Sequence, residues 1–405
     1  MSDSYDPPSV EKYWDQWWNA NKFFHANNET TNPKKFTITL PPPNVTGYLH
    51  IGHALTVAVQ DSIVRRKRMQ GFETLYLPGT DHAGIATQTV VEKKLMKDEG
   101  KTRHDLGREK FIEKVWEFKE THGNGIKNQL RRVGASLDWD REVFTMDEQL
   151  SKSVAAGFTQ LFERNLIYRA TRLVNWSTTL KTAISDIEVD YQDIDGRTLL
   201  EVPGYDKKVE FGVIVHFTYK QKDDPTKEIE VATTRIETML GDAAVAVHPE
   251  DPRYKDWIGK ELVHPFIPDR KIVVIADDFV DREFGTGAVK ITPAHDPNDY
   301  ACGQKHNLQF INIFTDDGLI NENGGKYQGL KRFECRRIIE KDLKEIGLLK
   351  DKKNNKMRLG LCSRSKDVIE PIIRPQWYVD CSEISKRMIE AVKTKEIRII
   401  PAEEE

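Results

Sequence analysis

Apolar and polar positions along this chain follow two rhythms, and the change between them falls near residue 170. Before it, short β-branched runs alternate with helical spacing. Residues 34–40, KKFTITL, read as a short buried strand. Residues 53–69, HALTVAVQDSIVRRKRM, space their apolar side chains as a helix does and gather basic residues toward its C-terminal end, where the helix dipole favours them. Residues 74–77 form a second short strand, which ends in the turn Pro78-Gly79 with Thr80, Asp81 and His82 at its tip. Charged helices are expected from about 87 to 132 and from about 147 to 166, and residues 9–24 read as an amphipathic helix whose aromatic face (Tyr13, Trp14, Trp17, Trp18) packs on a domain body. Strands alternating with helices predict a parallel α/β sheet, with ligands beyond the carboxyl ends of its strands.

From about 170 to 350 the pattern shortens to alternating runs: VEFGVIVHFTYK, EIEVATTR, KIVVIADDFV and GTGAVKITPA, separated by Gly, Asp and Pro turns. This predicts a mostly β, barrel-like module. A helix within KRFECRRIIEKDLKEIGLL closes it, residues 357–383 resume extended structure, and ISKRMIEAVKTKE gives a last helix. No internal repeat is visible. One α/β domain interrupted by a β domain, with its return only begun, fits this order.

Bulk properties narrow the picture. A chain of 405 residues is too long for one ordinary domain. A net charge of -3 gives no overall attraction to nucleic acid, so any such contact must be a local patch. Four scattered cysteines with no CxxC pair write neither a disulfide framework nor a zinc knuckle and point to a reducing compartment. No apolar run approaches membrane-spanning length, and the acidic start resembles no targeting peptide, so a cytoplasmic location with no membrane partner is expected.

Three clusters carry candidate chemistry. In LPPPNVTGYLHIGHAL, the prolines forbid helix up to Asn44 and hand the chain to a helix N-terminus, a natural seat for phosphate. His50 and His53 there are candidate donors to phosphate oxygens; the plainer alternative is two histidines satisfied by backbone. In GTDHAGIATQ, Asp81 is a candidate partner for a substrate ammonium and His82 for a nucleotide, against the common use of such an Asp as a helix cap. In the β module, Thr233, Thr234, Arg235, Glu237 and Thr238 are dense in polar atoms, followed by Gly285, Gly287, Lys290, Thr292, His295, Asp296 and Asp299. A hairpin with helix caps is the alternative there. No metal site is expected, since no other His or Cys stands at ligand spacing from His295 and Asp296.

Together with the turn at Asn175-Trp176, and in this order, PPPNVTGYLHIGHAL, LPGTDHAGIATQ, ATTRIETMLGD and FGTGAVKITPAHDPNDY resemble the class I aminoacyl-tRNA synthetases, in the subgroup holding the isoleucine, leucine and valine enzymes. NVTG at 44–47 and DHAGIATQ at 81–88 look valine-type, and the resemblance spans essentially the whole chain. It implies an α/β fold: the first half of a Rossmann-like parallel-sheet catalytic domain over 1–170, interrupted by a mostly β editing domain over 201–345. A β-ribbon connection covers 171–200, and 346–405 hold the return and the start of the second catalytic half. It also implies ATP, valine and the tRNA specific for valine as partners, with Mg²⁺ accompanying ATP.

Carried over by residue, His50 and His53 match the pair that steadies ATP phosphates, and Pro41, Pro42, Asn44 and His82 match the surroundings of valine and its adenylate. Asp81 matches the residue that holds the amino group. Arg235, Thr238, Phe284, Lys290, Thr292, Asp296 and Asp299 fall on the editing pocket, where Asp299 would meet the α-ammonium of a threonyl group. Valine-type enzymes are themselves the known example of why a second pocket is needed: a hydrophobic site rejects the isosteric hydroxyl of threonine by only about 10²-fold.

The resemblance is incomplete. A KMSKS-type loop and an anticodon-binding domain are absent, so an amino-terminal half separated from its C-terminal half is expected. The zinc-binding cysteines of some relatives are replaced by NWSTTL. A non-catalytic RNA-binding paralogue is the alternative, against which intact His50, His53, Asp81 and Asp299 speak; a small adenylyltransferase sharing only the H-x-G-H turn would not need the β module.

Overall fold

Proline-stiffened backbone and β-branched side chains put the first strand where the pattern asks for it. In the computed structural model, which describes residues 4–283 and 285–401, Lys35–Thr39 pairs in parallel with Glu73–Leu77, from Lys35 opposite Glu73 to Thr39 opposite Leu77. The chain divides into two compact units between Leu166 and Ile167.

In the first unit the ladder resumes past Pro78, where Gly79–Thr80 pairs in parallel with Val143–Phe144. The helix Ile51–Met69 connects the two paired strands and buries Val57 and Val64 against Leu40, Tyr76, Ile126, Leu130 and Leu137. Each such side chain contributes roughly 1.5–3 kcal/mol by leaving water. The charged segment expected as helix from 87 to 132 is broken at two glycines: Ile85–Glu99 ends at Gly100 and Arg108–Val133 begins after Gly107, both left-handed at φ 66° and 77°.

The amino-terminal helix differs from expectation. It forms two short pieces, Pro7–Glu11 and Trp14–Ala20, and Tyr13, Trp14 and Trp17 remain largely exposed. Seven helical residues are too few to lay one continuous aromatic face. Trp14 instead packs on Trp17 and Trp18, and Trp18 lies against Phe24 and the Arg65 guanidinium.

The second unit begins with a long antiparallel ribbon, Ile167–Ser177 against Glu370–Val379, continued by Val189–Ile194 against Met357–Cys362. A seven-stranded mixed sheet follows. Its order is Glu228–Thr233, Val213–Gln221, Glu261–Val263, Lys271–Ala276, Ala244–Val247 and Ala288–Ile291, with Leu349–Asn354 alongside Val213–Gln221. The strands at 228–233 and 288–291 lie close, so the sheet curls into a nearly closed barrel. Strict alternation fills it: Val215, Phe217 and Tyr219 point to one core with Ile229, Val231, Val245 and Ile272. The helix Arg332–Glu345 packs on the short turn of helix Ile236–Gly241. The fold class is α/β with a β-rich inserted part, as the pattern predicted. Among the described residues no helix is long and apolar enough to cross a membrane.

Candidate functional site

At the strand ends of the first unit, the histidine pair is held by the helix it opens. His50 is the N-cap of Ile51–Met69, and its Nδ1 accepts from the Gly52 amide at 3.1 Å. The His50 amide in turn donates to His53 Nδ1 at 3.2 Å, closing a capping box, with the rings 4.0 Å apart. Each Nδ1 accepts a backbone proton, so each neutral imidazole carries its own proton on Nε2. Burial, then the neighbouring His50, hold the His53 pKa below the ordinary value and favour that neutral form. The backbone-satisfied reading and the donor reading therefore describe the same two rings: one nitrogen serves the helix, and the other is free to donate.

Asn44 bridges Asp81 across the strand ends, with Val45 N donating to Asp81 O and Asp81 N to Pro43 O, both at 2.9 Å. Pro43 is buried, while Pro41, Pro42 and Asn44 are exposed. Asp81 is not a helix cap. Gly84 occupies the N-cap of Ile85–Glu99, and Asp81 Oδ1 instead accepts from the Thr145 hydroxyl at 3.0 Å. Thr145 also receives the His82 amide at 2.9 Å and meets His82 Nδ1 at 2.6 Å. Sequence reading missed Thr145; no local motif marks it. A cavity of about 580 Å³ opens beside these residues, lined by Val45, His82, Thr87, Phe111, Trp116 and Phe144 among others.

In the second unit the structure brings together Thr238, Lys290, Thr292 and Asp299 near a carboxylate absent from the expected set, Asp242, with Arg235 joined through its backbone carbonyl, which accepts from Thr238. Fully buried at the end of Ile236–Gly241, Asp242 accepts from Tyr219 Oη at 2.8 Å on Oδ2, and from Lys290 Nζ at 2.9 Å and Thr292 Oγ1 on Oδ1. Burial pushes its pKa up, while Lys290, Thr292 and Tyr219 pull the other way. Lys290 Nζ also donates to Thr238 Oγ1 at 3.2 Å and to Thr292 Oγ1. The signal for Asp242 was its place inside TRIETMLGD, a segment too polar to bury without partners.

Asp299 is buried, and its Oδ2 accepts from the Thr292 amide at 2.8 Å. Burial first, then Asp296 and Asp242, raise its pKa to about 7 against the pull of Lys290 and the Thr292 amide. Asp296 serves the cap reading: its Oδ1 accepts from the amides of Asn298 and Asp299 at the start of Pro297–Lys305. His295 is fully buried and neutral, its pKa pushed down to about 3 by burial and Arg235. Its Nδ1 donates to Pro371 O and its Nε2 accepts from the Ile313 amide, so its role is to hold the loop. Phe284 lies outside the described residues.

Arg235 donates to His295 O at 2.9 Å and pairs with Glu370, which also takes Arg332 Nη1 at 3.1 Å. Behind them Arg336 grips Glu237 with two bonds of 2.7 Å; burial opposes the charge of Glu237, but Arg336 holds its pKa low. The broad grooves of this unit, about 630 and 740 Å³, are lined by other residues; Thr238, Asp242, Lys290, Thr292 and Asp299 are buried, while Arg235 is partly exposed. Among the described residues two groups of side chains have metal-like spacing, His25–Asp138–Asp140 and Asp277–Cys302–His306, and neither includes a residue of either candidate site.

The family model described as "tRNA synthetases class I (I, L, M and V)" matches residues 13–405. Similar proteins include "Valine--tRNA ligase, mitochondrial 1" of Arabidopsis thaliana, 57% identical over 98% of this chain and 36% of the relative. "Valine--tRNA ligase" of Schizosaccharomyces pombe is 55% identical over 98% and 41%, and that of Caenorhabditis elegans 53% over 98% and 38%. The chain thus spans little more than a third of the length of these relatives.

Proposed function

Because the chain belongs to the class I tRNA synthetases of the isoleucine, leucine, methionine and valine group, we propose that it serves valine–tRNA ligation. Valine would be activated with ATP at the strand ends of the first unit and passed to the tRNA specific for valine. The β-rich unit would hydrolyse threonyl-tRNA made in error. Within the second unit, 171–200 would be the β-ribbon connection, 201–345 the editing domain, and 346–405 the return connection and the start of the second catalytic half. The observation that carries the reading is the capping box: His50 and His53 each spend Nδ1 on backbone and keep an Nε2 proton for an anion at a helix N-terminus. Asp81 on the adjoining strand end, oriented by Thr145, would take the valine ammonium. Pro41, Pro42, Asn44 and His82 would frame the amino acid and nucleotide. ATP enters as substrate. Mg²⁺ would arrive with ATP, held chiefly by its phosphates.

For editing, Asp299 would hold the α-ammonium of the misplaced threonine while water attacks the ester carbonyl. A carboxyl raised to about 7 is drawn into its charged form by a cation brought alongside. Arg235, Thr238, Lys290, Thr292 and Asp296 would shape that pocket, with Phe284 as a further wall. The expected cytoplasmic location belongs to this proposal too, tested by imaging of the tagged protein, since the Arabidopsis relative is named mitochondrial.

Deacylation of threonyl- and valyl-tRNA(Val) by the chain and by Asp299→Ala tests the editing half. Selective loss of threonyl-tRNA that vanishes in Asp299→Ala supports it; equal rates on both esters, or an active variant, overturn it. For the first unit, calorimetric titration with a non-hydrolysable valyl-adenylate analogue should show binding that weakens roughly ten- to a hundredfold in Asp81→Asn. Unchanged affinity would reduce Asp81 to a structural role.

A further inference from the structure

The protons of the buried cluster in the second unit lead past the residues that resemblance supplied. Lys290 Nζ has three hydrogens and three acceptors around it: Thr238 Oγ1, Asp242 Oδ1 and Thr292 Oγ1. Its donors are therefore all committed. Thr292 Oγ1 accepts from Lys290, so the single hydroxyl proton it owns goes to Asp242. Thr238 Oγ1 likewise accepts from Lys290 and donates its proton to Arg235 O at 2.8 Å. Asp242 receives donors on both oxygens, with Tyr219 on the far one, and acts as acceptor throughout.

A hydroxyl is ordinarily a rotor that presents donor or acceptor as its neighbour requires. Here both rotors are locked with their protons turned into the protein. Thr238 and Thr292 each keep an acceptor lone pair and no donor. A ligand reaching these oxygens is met by acceptors alone. A side chain with a hydroxyl supplies the missing proton, whereas a methyl in the same place leaves buried lone pairs unpaired and is penalised.

We propose that Asp242 sets the donor–acceptor polarity of this cluster, and that this polarity selects a β-hydroxyl over a methyl in the amino-acid part of the ester. Asp242 is a positioning residue: it acts through Thr292 and Lys290. The inference rests on the editing reading above and adds to it the residue that decides which side chain is accepted.

The test compares hydrolysis of threonyl- and valyl-tRNA(Val) by the wild-type chain, Asp242→Ala and Asp242→Asn, with a melting curve for each. The threonyl-to-valyl ratio should fall about tenfold or more in Asp242→Ala, the worth of one hydrogen bond. Asp242→Asn, which can keep a carbonyl oxygen toward Thr292, should stay within about threefold of wild type. A folded Asp242→Ala with the wild-type ratio overturns the inference, and so does an Asp242→Asn that falls as far as Asp242→Ala, since charge and not polarity would then be the cause. Where Asp242→Ala does not fold, Thr292→Val and Thr292→Ser decide: the valine variant should lose the ratio and the serine variant keep it, and a valine variant that keeps it overturns the inference. Failure of the editing reading shows differently, as a wild-type chain that does not distinguish the two esters, and the inference falls with it.

Discussion

The two candidate sites solve the problem of placing polar groups in opposite ways. At the strand ends of the first unit, His50 and His53 are three residues apart, accept from the Gly52 and His50 amides of the same helix start, and are exposed and partly exposed. Their geometry is a property of one helix end. In the second unit, Arg235, Asp242, Lys290, Asp299 and Glu370 span 135 residues between Arg235 and Glu370, and all but the partly exposed Arg235 are buried. Every charge there depends on partners delivered by other elements. A local, open site should tolerate substitution with small losses in stability, while a distributed, closed one should fail as a unit, because an unpaired buried charge costs far more than an exposed one.

The sharpest way to break this comparison is Arg336→Met. It leaves the fully buried Glu237 without its bidentate partner, and stability of the second unit should fall by about 3–5 kcal/mol in urea unfolding. A loss below about 1 kcal/mol would mean the cluster is not closed to water.

Next in size is the effect of pH on Asp299. Its carboxyl holds a proton more tightly folded than unfolded, so its contribution is fully present below the ordinary value of 3.8 and is lost as pH rises through about 7. Relative to Asp299→Asn, the wild-type chain should lose up to about 4 kcal/mol between pH 4 and 8. Urea midpoints of the two proteins across that range measure it; a constant difference would place the carboxyl in water.

At the open site the losses should be smaller. His50→Ala removes one N-cap and should cost about 1 kcal/mol, while abolishing binding of the adenylate analogue. Acid should act similarly: His53, held below the ordinary histidine value, contributes stability that is present above it and lost as pH falls, when a protonated Nδ1 can no longer accept the His50 amide. Histidine ring NMR shifts followed against pH report this directly. The smallest change expected is in Thr145→Val, within about 1 kcal/mol of wild type in stability, yet weakening the adenylate analogue by misplacing Asp81 and His82.

What the sequence determined by itself is what short-range physics decides. Three prolines and a β-branched run make a strand and a rigid turn wherever they are placed, and His50 to His53 is a spacing that closes a capping box without outside help. Alternation after residue 170 announced a β module, because a period of two admits only strands. Motif order was sufficient for the family. Tertiary structure alone decided the partners. Burial obliges Glu237, Asp242 and Arg332 to be paired, yet nothing in their neighbourhoods says that Arg336, Lys290 and Glu370 would do it, from 99, 48 and 38 residues away. It likewise turned Asp81 from a possible helix cap into a partner of Thr145, and showed that Asp296 caps its own helix. Which donor meets which acceptor inside a protein depends on how the sheet curls and where helices come to rest, and that follows from packing the whole core at once.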